Sequence, residues 1–376
     1  MKLESLLIHG AKDSLNQTGA ISVPIYQSAT FVHPGVGQST GFDYARVQNP
    51  TRQALERLMA SLEGGSEALA FSCGMAALDA LLGLFNRGDH IICSNDLYGG
   101  SVRLFDAAGP RLGIEFDYID VNDQKLLERT LSDKTAMVFI ETPSNPMMTV
   151  TDIRAVRKTI GPRIMLTVDN TFLTPICQRP LELGADLVVH SGTKFLGGHN
   201  DTLCGFIILS DCFKAEKLRY ITKTVGSGLT PFDSFLIIRG LKTLKLRIEK
   251  SQANALAVAE FLTRHHRVNK VYYPGLLDHP GREISLSQST GFGAMLSFEV
   301  ESEELAKAVL ERVSMILYAE SLGGVETLIT YPILQTHADL PERVREALGI
   351  NSRLLRLSAG VEASEDIIED LSQALS

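Results

Sequence analysis

At 376 residues, with 44% apolar and 21% charged side chains, the chain has a globular composition and is long enough for two or three domains around a large core. A net charge of −8, without a basic cluster or interleaved aromatic and basic residues, argues against a nucleic-acid partner. The five cysteines (Cys73, Cys93, Cys177, Cys204, Cys212) have neither disulfide-framework nor metal-ligand spacing, and no apolar run reaches membrane-spanning or signal-peptide form, so a cytoplasmic, metal-free, non-membrane protein is expected.

Residues 1–48 are rich in Gly, Pro, Ser and Thr and lack clear periodicity, which predicts an extended arm that needs something to pack on. Asn49-Pro50-Thr51 followed by Leu55, Leu58, Met59 and Leu62 predicts a capped helix stopped by Gly64-Gly65. Short apolar strands are then expected at 68–71, 90–93, 114–118, 136–140, 164–168 and 187–189. Helices fall at 75–85, after Gly99-Gly100, at 123–131 and at 152–160. Apolar strands alternating with helices imply a mostly parallel sheet covered on both faces, an α/β domain over 49–232. A long helix over 233–264 leads into a smaller α+β domain (233–376), with strands at 270–273, 293–298, 315–318 and 354–357 and helices at 303–312, 341–348 and 364–375.

In open parallel sheets ligands sit beyond the carboxyl ends of the strands. The residues that follow each strand here are Ser72-Cys73-Gly74-Met75, Ser94 to Gly100, Glu141 to Pro146, Asp169-Asn170-Thr171 and Ser191-Gly192-Thr193-Lys194. Gly74-Met75 at a helix start offers amides to an anion, and Ser72, Ser191 and Thr193 add hydroxyls. Tyr98 suits a planar ligand, and Asp169 at the end of a buried strand needs a cationic partner. Lys194, just past a buried strand, reads either as a phosphate clamp or as a desolvated nucleophile. Together these suit pyridoxal phosphate, which needs a Schiff-base lysine, an acid at the ring nitrogen and a phosphate cup.

The chain resembles the pyridoxal-phosphate trans-sulfuration enzymes over nearly its whole length. The motifs are Tyr44-Ala-Arg46 with Asn49-Pro-Thr-Arg52, Ser72-Cys-Gly-Met-Ala-Ala, Asp96-Leu-Tyr-Gly-Gly, Glu141-Thr-Pro-Ser-Asn-Pro and Val168-Asp-Asn-Thr-Phe. They continue with His190-Ser-Gly-Thr-Lys-Phe-Leu-Gly-Gly-His, Ala319-Glu-Ser-Leu-Gly-Gly, Gln335-Thr-His and Leu355-Arg-Leu-Ser-Ala-Gly. The resemblance implies the type I fold of pyridoxal-phosphate transferases. In it, Lys194 would hold the cofactor and move protons, Asp169 would face the ring nitrogen, and Tyr98 would stack on the ring. Gly74, Met75, Ser191 and Thr193 would cup the phosphate, Asn145 would approach the ring hydroxyl, and Arg356 with Ser321 would bind the substrate carboxylate. Tyr44 and Arg46 would reach a neighbouring subunit's phosphate, which implies a homodimer of active sites, usually assembled as a tetramer. Gly192 and Cys73 depart from the residues common in the family, but both are small.

Within that family, Gly100 stands where methionine γ-lyases carry cysteine. Asp43 and Glu320 fill positions that are often acidic in enzymes handling cystathionine or homoserine esters, where carboxylates favour a distal ammonium. The resemblance therefore implies small amino-acid substrates and a cystathionine γ-synthase-like reaction. Cystathionine γ-lyase and then β-lyase are the alternatives. An aminotransferase or a non-catalytic binding protein of the same fold fits poorly, because Lys194, Asp169 and Arg356 are all present along with Glu320-Ser-Leu-Gly.

Overall fold

Asn49 starts the first long helix in the way the sequence predicts. In this computed structural model, which describes residues 1–11 and 18–376, its side chain accepts from the Thr51 and Arg52 amides, Pro50 occupies the first turn, and Gly64 ends the helix at φ 79°. Upstream, residues 12–17 of the expected arm lie outside the described residues. The arm opens with a helix not expected from sequence, α1 (Leu3–His9), whose only buried side chain is Leu7. One anchor in seven residues gives no readable periodicity. The capped helix is α2 (Pro50–Glu63).

Strands and helices then alternate: β1 (Glu67–Phe71), α3 (Gly74–Leu82), β2 (His90–Ser94), α4 (Gly99–Leu112), β3 (Glu115–Ile119), α5 (Gln124–Thr130) and β4 (Thr135–Glu141). They continue as α6 (Ile153–Ile160), β5 (Met165–Asp169), the short α7 (Thr174–Cys177), β6 (Leu187–Ser191), β7 (Gly205–Leu209) and α8 (Cys212–Val225). The sheet order is β1-β7-β6-β5-β4-β2-β3, parallel except for β7, which runs antiparallel to both neighbours. Leu187 and Val189 pack with α3, α4 and α8 on one face, while Val188 joins α2 and later helices on the other. The mostly parallel sheet between helices is thus as expected. Neither β7 nor α8 was expected. β6 returns to β7 without a crossover helix, so the alternation used to read the other strands is broken there.

The helix expected over 233–264 is two helices, α9 (Pro231–Leu241) and α10 (Leu244–Arg264), broken at Lys242–Thr243. The buried Arg247 guanidinium fills the corner, donating to the carbonyls of Gly240 at 2.8 Å and Phe195 at 2.7 Å. The remaining elements are β8 (Val268–Tyr272), α11 (Arg282–Gln288), β9 (Met295–Val300), α12 (Glu303–Arg312), β10 (Leu317–Tyr318), β11 (Leu328–Thr330), α13 (Glu342–Leu348), β12 (Leu354–Ser358) and α14 (Ser364–Ala374). Their five-stranded sheet has the order β10-β11-β12-β9-β8. The central position of β12 sets Arg356 between Thr330 and Ser297 and aims it at the first sheet. Among the described residues no helix is long and apolar enough to cross a membrane.

Candidate active site

The carboxyl ends of the first sheet's strands, with Arg356 and the Glu320–Leu322 segment of the second, enclose a cavity of about 350 Å³. Its walls carry Gly74, Met75, Tyr98, Asn145, Asp169, Ser191, Thr193, Lys194, Glu320, Ser321 and Arg356. Eleven of the fourteen residues given a site role by the resemblance are therefore brought together, while Ser72, also considered for the phosphate, is not on these walls.

Lys194 leaves β6 on a tight turn, in which Lys194 N–H donates to Ser191 O at 3.2 Å and Gly198 N–H to Lys194 O at 2.8 Å. The turn lies directly on α9, and a Cβ at Gly240 would stand 2.3 Å from the Gly197 carbonyl oxygen. Lys194 Nζ donates to Ser321 Oγ at 2.8 Å. Burial, and then the Arg356 charge, pull the lysine from 10.5 down to about 8, so a substantial fraction of neutral amine exists near neutrality. Ser321 holds φ 90°, a left-handed conformation costly for a side-chain-bearing residue. Its carbonyl is fixed by Arg356 Nη2 at 3.0 Å. Arg356 Nη1 donates to Asn145 Oδ1 at 2.9 Å, while its buried Nε has no partner. A buried, incompletely satisfied guanidinium beside an open cavity is a site for a carboxylate.

Asp169 ends β5 with Oδ1 accepting from Thr171 N–H at 2.9 Å, and desolvation raises its pKa from the ordinary aspartate value. Glu141, its register partner at the end of β4, lines the same cavity. Burial and the Asp169 charge push Glu141 well up, and its Oε2 accepts from Tyr98 N–H at 3.0 Å. Behind β2 and β4, burial pushes Asp96 up to about 6, although Ser144 donates to it. Across the sheet, His190 Nε2 and Glu63 Oε1 meet at 2.5 Å, and Asn170 Nδ2 donates to the same Glu63 oxygen at 2.9 Å. The His190 charge counts among the influences lowering Asp169. Glu63 and His337 were not singled out individually, and Glu141 only as the start of a motif. Glu141 carries the signal that marked Asp169, an acid closing a buried strand. His337 is fully buried 192 residues from the carbonyl it meets, Asn145 O at 3.0 Å.

The arm residues stay outside this cavity. Arg46 Nη1 donates to the Lys223 carbonyl and lies over the Tyr44 ring, 5.6 Å from its centroid, while Asp43 accepts from Ser39 Oγ at 2.5 Å. Tyr44 is half exposed. In one chain these three residues do not contribute to the site.

The cavity fits pyridoxal phosphate on its own chemistry. Cys73 Sγ caps only the Ala76 amide of α3, so the Gly74 and Met75 amides remain for an anion. A Cβ at Gly74 would come within 3.2 Å of Ser191 Cβ, so glycine keeps that cradle open. Asp169, half-buried at the end of its strand and bonded within the chain to Thr171, calls for a cationic N–H such as a protonated pyridine. Thr193 fits least directly, since its hydroxyl is bracketed by Cys204 N at 3.0 Å and Cys204 O at 3.3 Å.

Comparison with known proteins leads to the same class. Residues 4–376 match the model of the Cys/Met metabolism PLP-dependent enzymes. A cystathionine beta-lyase of Lactococcus lactis is 46% identical over 99% of this chain and 98% of the relative. A cystathionine gamma-synthase/O-acetylhomoserine (thiol)-lyase of Bacillus subtilis is 47% identical over 95% of this chain and 92% of its own length. The crystal structure of cystathionine gamma-lyase from Lactobacillus plantarum complexed with L-serine superposes with a TM-score of 0.97, at 42% identity over 100% of this chain and 98% of that one. The chain belongs to the Cys/Met metabolism PLP-dependent enzyme family. It is an enzyme whose cofactor is pyridoxal phosphate, and relatives at similar identity carry three different activities.

Proposed function

We propose that the protein is a cystathionine γ-synthase-like enzyme, replacing the acyloxy group at Cγ of an O-acylhomoserine with the sulfur of cysteine. The balance is O-acylhomoserine plus cysteine giving cystathionine plus the free carboxylic acid. The observation that carries this reading is Glu320, a carboxylate on the wall that holds Lys194, Ser321 and Arg356. An amino acid held by its α-carboxylate at Arg356 would place a distal ammonium within reach of an acid on that wall. Cystathionine and incoming cysteine both bring one. Asp43 is assigned the same preference from the neighbouring subunit's arm.

Pyridoxal phosphate supplies an electron-withdrawing ring that stabilises negative charge developing on substrate carbons. Lys194 is assigned as its covalent anchor. The Gly74 and Met75 amides with Ser191 and Thr193 hold its phosphate, Asp169 its ring nitrogen and Asn145 its ring hydroxyl, and Tyr98 covers its face. The chain's own contribution to turnover is proton traffic. The Lys194 amine, lowered to about 8 by burial, takes a proton from Cα and then from Cβ and returns them once sulfur has added. Its hydrogen bond to Ser321 keeps the amine beside the carboxylate site, so the same wall binds and deprotonates. Tyr44 and Arg46 complete the phosphate site from a second copy of the chain.

Cystathionine cleavage is the second reading, favoured by the same Glu320, because the product of the replacement is the substrate of the lyases. Two incubations separate them. Cystathionine formed from O-acetyl- or O-succinylhomoserine plus cysteine, with little cleavage of added cystathionine, is the expected result. 2-Oxobutyrate with cysteine from cystathionine would instead establish a γ-lyase, and pyruvate with homocysteine a β-lyase.

A further inference from the structure

Gln335-Thr336-His337 is the one sequence motif left without a role by the reaction above. The segment is tightly fixed: His337 N–H donates to Pro332 O at 3.0 Å, and Gln335 Oε1 accepts from Tyr331 N–H at 2.7 Å. It presses on the first turn of α4, where a Cβ at Gly99 would stand 2.3 Å from the Thr336 carbonyl oxygen. Only glycine allows that approach. Thr336 lines the cavity, and His337 behind it is fully buried.

The imidazole has a partner on each nitrogen: Nδ1 at 2.8 Å from Thr336 Oγ1, Nε2 at 3.0 Å from the Asn145 carbonyl oxygen. The Asn145 carbonyl only accepts, so Nε2 carries the proton that faces it, while Nδ1 lies beside the Thr336 hydroxyl and the Leu97 backbone also hydrogen-bonds the ring. Asn145 in turn presents Oδ1 to Arg356 Nη1 at 2.9 Å. His337 thus holds the backbone of Asn145, and the side chain of the same residue holds the Arg356 guanidinium. Together these contacts join the carboxyl end of β4 to β12, and so tie one sheet to the other. The charged and titratable groups around the ring are Arg356 and Arg345, and burial lowers His337 from 6.5 to about 4, which keeps it neutral over the working range.

We propose that His337 is a positioning residue for substrate: as a neutral Nε2–H donor it fixes Asn145, and through it the angle at which Arg356 meets the substrate α-carboxylate. This rests on the carboxylate role assigned to Arg356. A misaligned guanidinium loses bidentate contact with the carboxylate, an interaction made before chemistry begins, so the loss falls on KM rather than kcat.

The test compares His337→Gln with His337→Asn in the holoenzyme, using whichever substrate the incubations above show to be turned over. The glutamine amide nitrogen reaches the position of Nε2, whereas that of asparagine stops near Nδ1. His337→Gln is expected to hold KM within about threefold of the natural enzyme. His337→Asn is expected to raise it about tenfold with kcat nearly unchanged and, because Asn145 is also assigned to the cofactor's ring hydroxyl, to shift the visible band of the bound cofactor where His337→Gln does not; tenfold corresponds to about 1.4 kcal/mol. Equal KM values for the two variants, or loss of folding or cofactor in both, would overturn the proposal and leave His337 a structural residue. Arg356→Lys is the control for the underlying reading: if it leaves KM unchanged, the carboxylate assignment fails independently of His337.

Discussion

Lys194 is costly to bury. Below pH 8 the folded chain must strip solvent from an ammonium that the unfolded chain leaves hydrated. As pH rises from about 8 toward 10.5 the folded state releases its proton first, so the penalty shrinks and vanishes above 10.5. In the cofactor-free protein, Lys194→Met should therefore raise stability by roughly 3 kcal/mol at pH 7. The gap to the natural chain should close across pH 8–10.5, as thermal melting would show. The same substitution in the presence of pyridoxal phosphate should abolish the visible absorbance of bound cofactor; a normal band would refute Lys194 as the anchor. At Gly100, a Cβ would lie 2.4 Å from Tyr98 Cε1. Gly100→Cys should push aside the Tyr98 ring, assigned above to the cofactor's face, and shift the visible band of bound cofactor without abolishing it, since related enzymes using the same cofactor carry cysteine there.

At the scale of elements, the turn that carries Lys194 is as much a product of α9 as of β6. Alanine is a better helix former than glycine by about 1 kcal/mol. Gly240→Ala should nonetheless destabilise the protein by about 1–3 kcal/mol in urea unfolding, because the new methyl meets the Gly197 backbone, which cannot turn aside as a side chain would. Nothing in the local sequence of α9 signals that contact. What was legible follows from local rules: the Asn49 cap, the apolar runs of β1 to β6, and polar residues gathered at their carboxyl ends, including Asp169 and Lys194. What was not legible depends on approach across the chain. β7 lacked a crossover to announce it, and the break between α9 and α10 is set by Arg247 reaching Phe195 and Gly240. Arg356 and Ser321 gave no local signal of their own and entered only through resemblance of their motifs. The Glu63–His190 pair joins residues 127 positions apart.

For the whole molecule, the arm leaves large apolar side chains in solvent, with Ile21 97% and Val32 87% exposed. That, with Tyr44 and Arg46 lying outside their own chain's cavity, fits an arm that completes a second copy. The assignment has a direct check. Arg46→Ala and Lys194→Ala should each be inactive alone. Dissociated, mixed and reassembled in equal amounts, they should regain up to about a quarter of natural activity, because half of the dimers then pair one intact lysine with one intact arginine. Absence of recovery, with mixed dimers shown to form, would return the arm residues to a role within their own chain.

Glu141, buried, and Asp169, half-buried, close neighbouring strands as two acids, with Arg356 and its unpartnered Nε nearby. Bringing these charges together costs free energy that a bound cofactor with a cationic ring nitrogen and an anionic phosphate would offset. A ligand bound only by the folded state at a hundred times its Kd adds about 2.7 kcal/mol to stability. In a cell short of pyridoxal phosphate, the enzyme should therefore be lost to proteolysis as well as idle, so that supply of the cofactor sets how much protein persists. Pulse-chase lifetimes in starved and replete cells would read that dependence, and Lys194→Ala should flatten it.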